Sequence, residues 1–296
     1  MSLAGDREAS GSDDADAANT NATAASLAPS QAAFLLSSFT NFLTVALHSI
    51  LYHRKLYPAA TFLTARAYNL PVLQSRHPGV CAWIRDAVAA TAQQIRLGAA
   101  RHICLVVHAP RSLDVVERWI FDVQSFPASW GADKDWPPQP GVDFDSSAHV
   151  NRDAAPGQDT VNPTDVHEAL RGALSRLSHA GRSRPPLPDG CTFTLGVELR
   201  DQAVAAPIRH PQLWIPSQPS LQAPAENRPE LGRARGGIST TPIRSVQAGP
   251  LFFECWVEQG KGSLDAVADK ASVTPTFSST FQSSGAADVT SSSLKS

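Results

Sequence analysis

The chain has 296 residues and a formal net charge of −2, a near-neutral balance that provides no broad electrostatic attraction for nucleic acid. Its four cysteines, Cys81, Cys104, Cys191 and Cys255, lie far apart with no metal-ligand or redox spacing. This argues against a disulfide framework or a zinc site and favours a reduced, intracellular protein with no metal or cofactor.

Residues 1–27 are mostly Ala, Asp, Asn and Ser. Residues 263–296 are rich in Ser, Thr and Ala. Neither tail holds enough apolar surface to offset the entropy of ordering, so both are expected to be disordered. The acidic N-terminus does not have the pattern of a secretory signal. One domain is expected over residues 28–262.

The first helix is predicted from Ser30, as cap, to Tyr57, stopped by Pro58, with Leu35, Phe39, Phe42, Leu43, Ala46 and Ile50 at helical spacing. It is apolar enough to raise the question of a membrane span. Ser37, Ser38, Thr40, Asn41 and His48 interrupt it, however, and would be costly to desolvate in lipid, so a central core helix is expected and no membrane partner. A second helix should open at His77-Pro78 and end at Gly98, with Val80, Ile84, Ala87, Val88, Thr91 and Ile95 on one face and Trp83 on its flank. Two β-branched runs, 103–108 and 115–123, flank turn residues and predict a hairpin.

Residues 124–161 are rich in Pro, Asp and Gly and predict a long flexible loop. A third helix opens at Asn162-Pro163, with Val166, Ala169, Leu170, Ala173, Leu174 and Leu177 as its buried stripe and Arg171 on the exposed side. Cys191 to Leu199 alternates as a half-buried strand, with Phe193, Leu195, Val197 and Leu199 on one face. Residues 203–250 carry eight prolines and offer only short strand candidates such as Leu213-Trp214-Ile215. A last strand covers Leu251 to Glu258, with Phe252, Glu254 and Trp256 on its outer face. The order predicts an α+β domain: three helices packed on a mostly antiparallel sheet.

No convincing catalytic set is present. His102 and Cys104 share one strand face, with His108 nearby, so a Cys/His thiol enzyme is conceivable. No helix N-terminus or cationic cluster is evident to activate the thiol, and a buried structural cysteine is the simpler reading. Two small basic spots, Arg182 with Arg184 and Arg228 with Arg233 and Arg235, read as solvated loop charge. No enzyme activity is expected.

Several blocks, in order, carry a resemblance to a known family. They are Ile50-Leu51-Tyr52-His53-Arg54-Lys55-Leu56-Tyr57-Pro58, Tyr68-Asn69-Leu70-Pro71-Val72, Ser75-Arg76-His77-Pro78, Trp119-Ile120-Phe121-Asp122, Asp189-Gly190-Cys191-Thr192-Phe193-Thr194 and Trp256-Val257-Glu258. Together they resemble the HORMA domain, and within it the accessory branch of the translesion DNA polymerase zeta. Ile50 to Pro58 and Glu117-Arg118-Trp119 resemble the spindle-checkpoint branch as well, which keeps a spindle assembly checkpoint adaptor as the alternative.

The resemblance implies a C-terminal safety belt, residues 203–258, closing over a short peptide of the polymerase zeta catalytic subunit. It implies peptide contacts at Trp83, Trp214, Tyr57 and Phe193, and contacts with a translesion polymerase scaffold protein at Glu254, Trp256 and Thr240. There this chain departs from the family's amide, tyrosine and leucine. It also implies HORMA–HORMA dimerisation through Arg171, and a role in translesion synthesis in the nucleus.

Overall fold

The computed structural model describes residues 28–127, 130, 161–200 and 215–260. The expected tails, 1–27 and 263–296, most of the 124–161 loop, and belt residues 203–214 with Trp214 lie outside the described residues.

Helix α1 (Pro29–His53) forms the centre, with fourteen buried residues that include polar Ser38, His48 and Ser49. Pro29 takes the first turn after Ala28, so Ser30 lies inside the helix and does not cap it. The helix also ends four residues before Tyr57. Lys55 adopts φ 55°, a left-handed conformation that terminates the ladder, and the Leu56 N–H reaches back to the Leu51 carbonyl at 3.0 Å. α1 is long and apolar enough to cross a membrane by composition, but its apolar surface is buried by protein.

A hairpin that the sequence reading lacked follows: β1 (Phe62–Ala67) and β2 (Leu70–Ser75), antiparallel, joined by Tyr68 and Asn69 at φ 50° and 55°. Two consecutive positive φ values are what a two-residue hairpin turn requires. α2 (Pro78–Arg96) starts where expected, with His77 Nδ1 accepting from the Val80 N–H. α3 (Pro163–Ser183) is capped by Asn162, whose Oδ1 accepts from the Thr164 N–H at 3.0 Å.

The main sheet contains β3 (Ala100–His108), β4 (Val115–Asp122), β5 (Thr192–Leu199), β6 (Ser239–Ala248) and β7 (Leu251–Gln259) in the order β5-β3-β4-β7-β6, with every pairing antiparallel. β6 falls in the stretch for which only short candidates were expected, whereas Ile215 of the Leu213-Trp214-Ile215 candidate is exposed and outside any strand. The inner face of the sheet, with Ile103, Leu105, Trp119, Phe121, Phe253, Cys255 and Val257, packs on the helices. The loop after β4 opens less loosely than expected. Phe126 and Trp130 are buried and stack edge-on at 5.6 Å, and Phe126 also meets Phe39 at 5.0 Å.

Candidate functional site

Strand β5 forms one edge of the sheet. It pairs with β3, and among the described residues no strand lies on its other side. An unpaired edge presents backbone donors and acceptors that another extended segment can complete. At the inner margin of this edge, Phe193 meets Trp83 of α2 edge-on at 5.1 Å and Tyr57 at 6.1 Å. Trp83 is 38% exposed, a large apolar surface to leave in water. Three of the four residues expected to hold a peptide therefore gather at one place.

The chain leaves the sheet at this edge after Leu199 and re-enters at the opposite edge at Ser239. The described part of that connection, 215–238, crosses the outer face, away from the helices. Leu221 and Ala234 cover an outer patch made by Cys104, Val106, Val115, Ile120 and Trp256. The Gln218 side-chain amide donates to the Leu113 carbonyl at 3.4 Å and lies 3.2 Å from His108 Nδ1, and Arg235 Nη2 donates to Glu198 Oε2 at 2.8 Å. Gly237 turns the segment into β6 at φ 51°, where a Cβ would stand 2.4 Å from the Gln259 carbonyl oxygen. Only glycine fits that approach without movement.

Beneath the strap lies a charged network that the sequence reading missed. Glu198 of β5 accepts from Arg235, from His102 Nδ1 at 2.9 Å and from Arg118, whose other nitrogen donates to Glu258 at 2.8 Å. Burial alone would raise the Glu198 carboxyl; the His102 hydrogen bond and the Arg118 and Arg235 charges outweigh it and hold it at about 2. On the inner face, Arg54 and Arg184 both donate to Glu117, and Arg54 also donates to the carbonyls of Gly181, Arg184 and Pro185. The available signal was the adjacent pair Glu117-Arg118 inside a continuous apolar strand. Charges buried on both faces of one strand require partners from elsewhere.

The residues expected to meet a scaffold protein share the outer face of β6 and β7. Thr240 pairs opposite Glu258, and Pro242 opposite Trp256. Glu254 is exposed and accepts from Ser245 Oγ at 2.8 Å; Thr240 is exposed. Trp256 is half-buried; like the strap residues Leu221 and Ala234 it packs on the cluster of Cys104, Val106, Val115 and Ile120, and His102 meets it edge-on at 5.7 Å. Arg171 is exposed on α3 and pairs with Glu168 at 3.2 Å. The basic spots are partly neutralised, Arg228 by Glu230, Arg235 by Glu198 and Arg184 by Glu117. Cys104 is buried, and its surroundings push the thiol up to about 12, first through burial and then through the Glu198 charge, against the lowering by Arg118. A thiol so held is not a nucleophile at neutral pH.

Residues 36–231 match the model of the HORMA domain. This chain belongs to the HORMA domain family. A relative from Schizosaccharomyces pombe, the DNA polymerase zeta processivity subunit, is 30% identical over 75% of this chain and 91% of its own length. Among solved structures, a chain of the mitotic checkpoint complex superposes with a TM-score of 0.52 at 20% identity, covering 75% of this chain and 98% of that one. HTP-2 bound to HTP-3 motif-6 superposes with a TM-score of 0.50 at 14% identity, covering 75% and 89%. These two likenesses concern the fold. The likeness to the processivity subunit agrees with the polymerase zeta branch of the HORMA family, and the α+β architecture with three helices on an antiparallel sheet is that of the HORMA fold.

Proposed function

We propose that this HORMA protein is a non-catalytic adaptor that clasps a short peptide of the polymerase zeta catalytic subunit. The observation that carries the reading is the β5 edge, open among the described residues, with Trp83, Phe193 and Tyr57 at its inner margin, from which the chain departs to cross the sheet. A peptide adding a strand at β5 would complete backbone hydrogen bonds and direct alternate side chains toward Trp83, while the strap and Trp214 close over it. The relative's designation as a polymerase zeta processivity subunit supports the choice of partner. The outer face at Glu254, Trp256 and Thr240 would take a translesion polymerase scaffold protein, and Arg171 a second HORMA domain. The site of action would be the nucleus, in translesion synthesis.

The test is direct binding of a synthetic catalytic-subunit peptide to the purified full chain by calorimetry. Micromolar or tighter affinity is expected. Loss of an aromatic anchor typically costs about 2 kcal/mol, so Trp83→Ala should weaken binding about thirtyfold. No binding by the wild type would refute the reading, and a preference for a checkpoint-activator peptide would transfer the protein to the spindle assembly checkpoint.

A further inference from the structure

A cleft of about 510 Å³ opens between the C-terminal turns of α1 and α3 and the loop leading into β5. Beside it the two helices approach tightly at Gly181, where a Cβ would lie 2.9 Å from His53 Cβ. Four cations face this region: Arg54, Lys55, Arg182 and Arg184. Against them stand only two carboxylates among the described residues, Asp189 in the wall and Glu117 behind it, which Arg54 and Arg184 share.

Lys55 and Arg182 have no ion pair among the described residues. Lys55 is also held at φ 55°, a left-handed conformation that is unfavourable for a residue with a side chain. His53 adds no charge at neutral pH, since burial and the nearby Arg182 push it down to about 4. Two positive charges are thus left uncompensated around a concave space. Carbonyls of the two helix ends would oppose an anion, but those of Ile50, Leu51 and Tyr52 accept from the Arg54, Leu56 and Lys55 N–H groups, and Arg54 occupies those of Gly181, Arg184 and Pro185.

We propose that this cleft is an anion site for a phosphorylated side chain of a bound polypeptide, read by Lys55 and Arg182. A phosphomonoester is close to a dianion at neutral pH and matches the excess of two positive charges. The volume is many times the roughly 30 Å³ share of one water, so a phosphate arrives with room for the side chain that carries it. Pro186, Leu187 and Leu56 supply an apolar wall for that chain. The cleft lining does not include the clasp residues Tyr57, Trp83 and Phe193, and the site does not depend on the identity of the clasped peptide.

The experiment uses the full chain and four probes in fluorescence polarisation: a labelled nonapeptide with a central phosphoserine, its serine and glutamate counterparts, and inorganic phosphate as competitor. The phosphopeptide should bind about tenfold tighter than the serine form. That preference should vanish in Lys55→Asn/Arg182→Ser, both exposed positions with Asn tolerating the left-handed backbone, and persist in Arg176→Ser, an exposed α3 position outside the cleft lining. Equal binding of the serine and phosphoserine peptides overturns the proposal, as does equal loss in Arg176→Ser. Competition by inorganic phosphate at the affinity of the phosphopeptide would make the site one for a free anion and equally overturn it. The double variant should still bind the catalytic-subunit peptide, and Trp83→Ala should still bind the phosphopeptide, so failure of one reading is distinguishable from failure of the other.

Discussion

The two ends of the Arg235–Glu198 ion pair should behave differently when removed. Arg235 belongs to the strap, its side chain is 27% exposed, and its loss frees only the strap. A partly exposed pair of this kind contributes about 1 kcal/mol, which for a domain of this size shifts the melting temperature by about 3 °C. Glu198 also accepts from Arg118, whose side chain is 4% exposed, and from His102. Glu198→Ala leaves Arg118 with Glu258 and leaves His102 facing Asp122 at 3.5 Å. Removing one of the two carboxylates that a buried arginine shares leaves one of its donors unsatisfied and costs about 2 kcal/mol, so a shift near ~6 °C is expected. Amide exchange followed by mass spectrometry separates the two cases. Arg235→Ala should accelerate exchange within 215–238 and leave β3 and β4 protected, whereas Glu198→Ala should accelerate exchange throughout the sheet. Equal losses of stability, or an unchanged strap in Arg235→Ala, would refute the view that the strap is latched through this pair.

Acid should destabilise the fold in two windows. His48 is lowered to about 4 by burial, so it favours the folded state above 6.5 and loses that contribution as pH falls to about 4, by about 3 kcal/mol at most. His53 adds a smaller share because it is only half-buried. Glu198 contributes above 4.5 and fades as pH falls toward about 2. Urea melts from pH 7 to 3 should show the first loss, and His48→Asn, which keeps an acceptor for the Ser75 N–H, should remove most of it. Gly237→Ala, forced against the Gln259 carbonyl at positive φ, should cost about 2 kcal/mol and selectively raise amide exchange in β6. Unchanged exchange there would show that the turn into β6 yields without cost.

The helices and the inner strands were legible because each buries a continuous or strictly periodic apolar face. Val80, Ile84 and Val88, or Phe253, Cys255 and Val257, suit only one period. β6 was not legible. It is an edge strand with Pro242 and a run of exposed polar residues, and its partner β7 rather than its own pattern makes it a strand. The β1–β2 hairpin was hidden by Arg66 and Pro71 and by a turn made from Tyr68 and Asn69 without glycine. The end of α1 was misplaced because Arg54 leaves the helix to reach Glu117, 63 positions away, a pairing no local pattern records. For the site, periodicity placed Trp83 on a helix flank and Phe193 on a strand. Their meeting depends on β5 lying at the sheet edge beside α2, which the family resemblance supplied and local pattern did not.

The β5 edge, unpaired among the described residues, also bears on how the protein behaves by itself. Such edges template pairing between molecules, and sheet proteins commonly guard them with charge, proline or a covering loop. From Thr192 to Leu199 the sole charged side chain is Glu198, and it is neutralised by Arg118 and Arg235. It therefore cannot repel a second strand. The β-prone residues Thr192, Phe193 and Thr194 would accept a neighbouring copy in place of a peptide. An occupant on β5 would thus do more than join two proteins. It would also cover this edge against self-association.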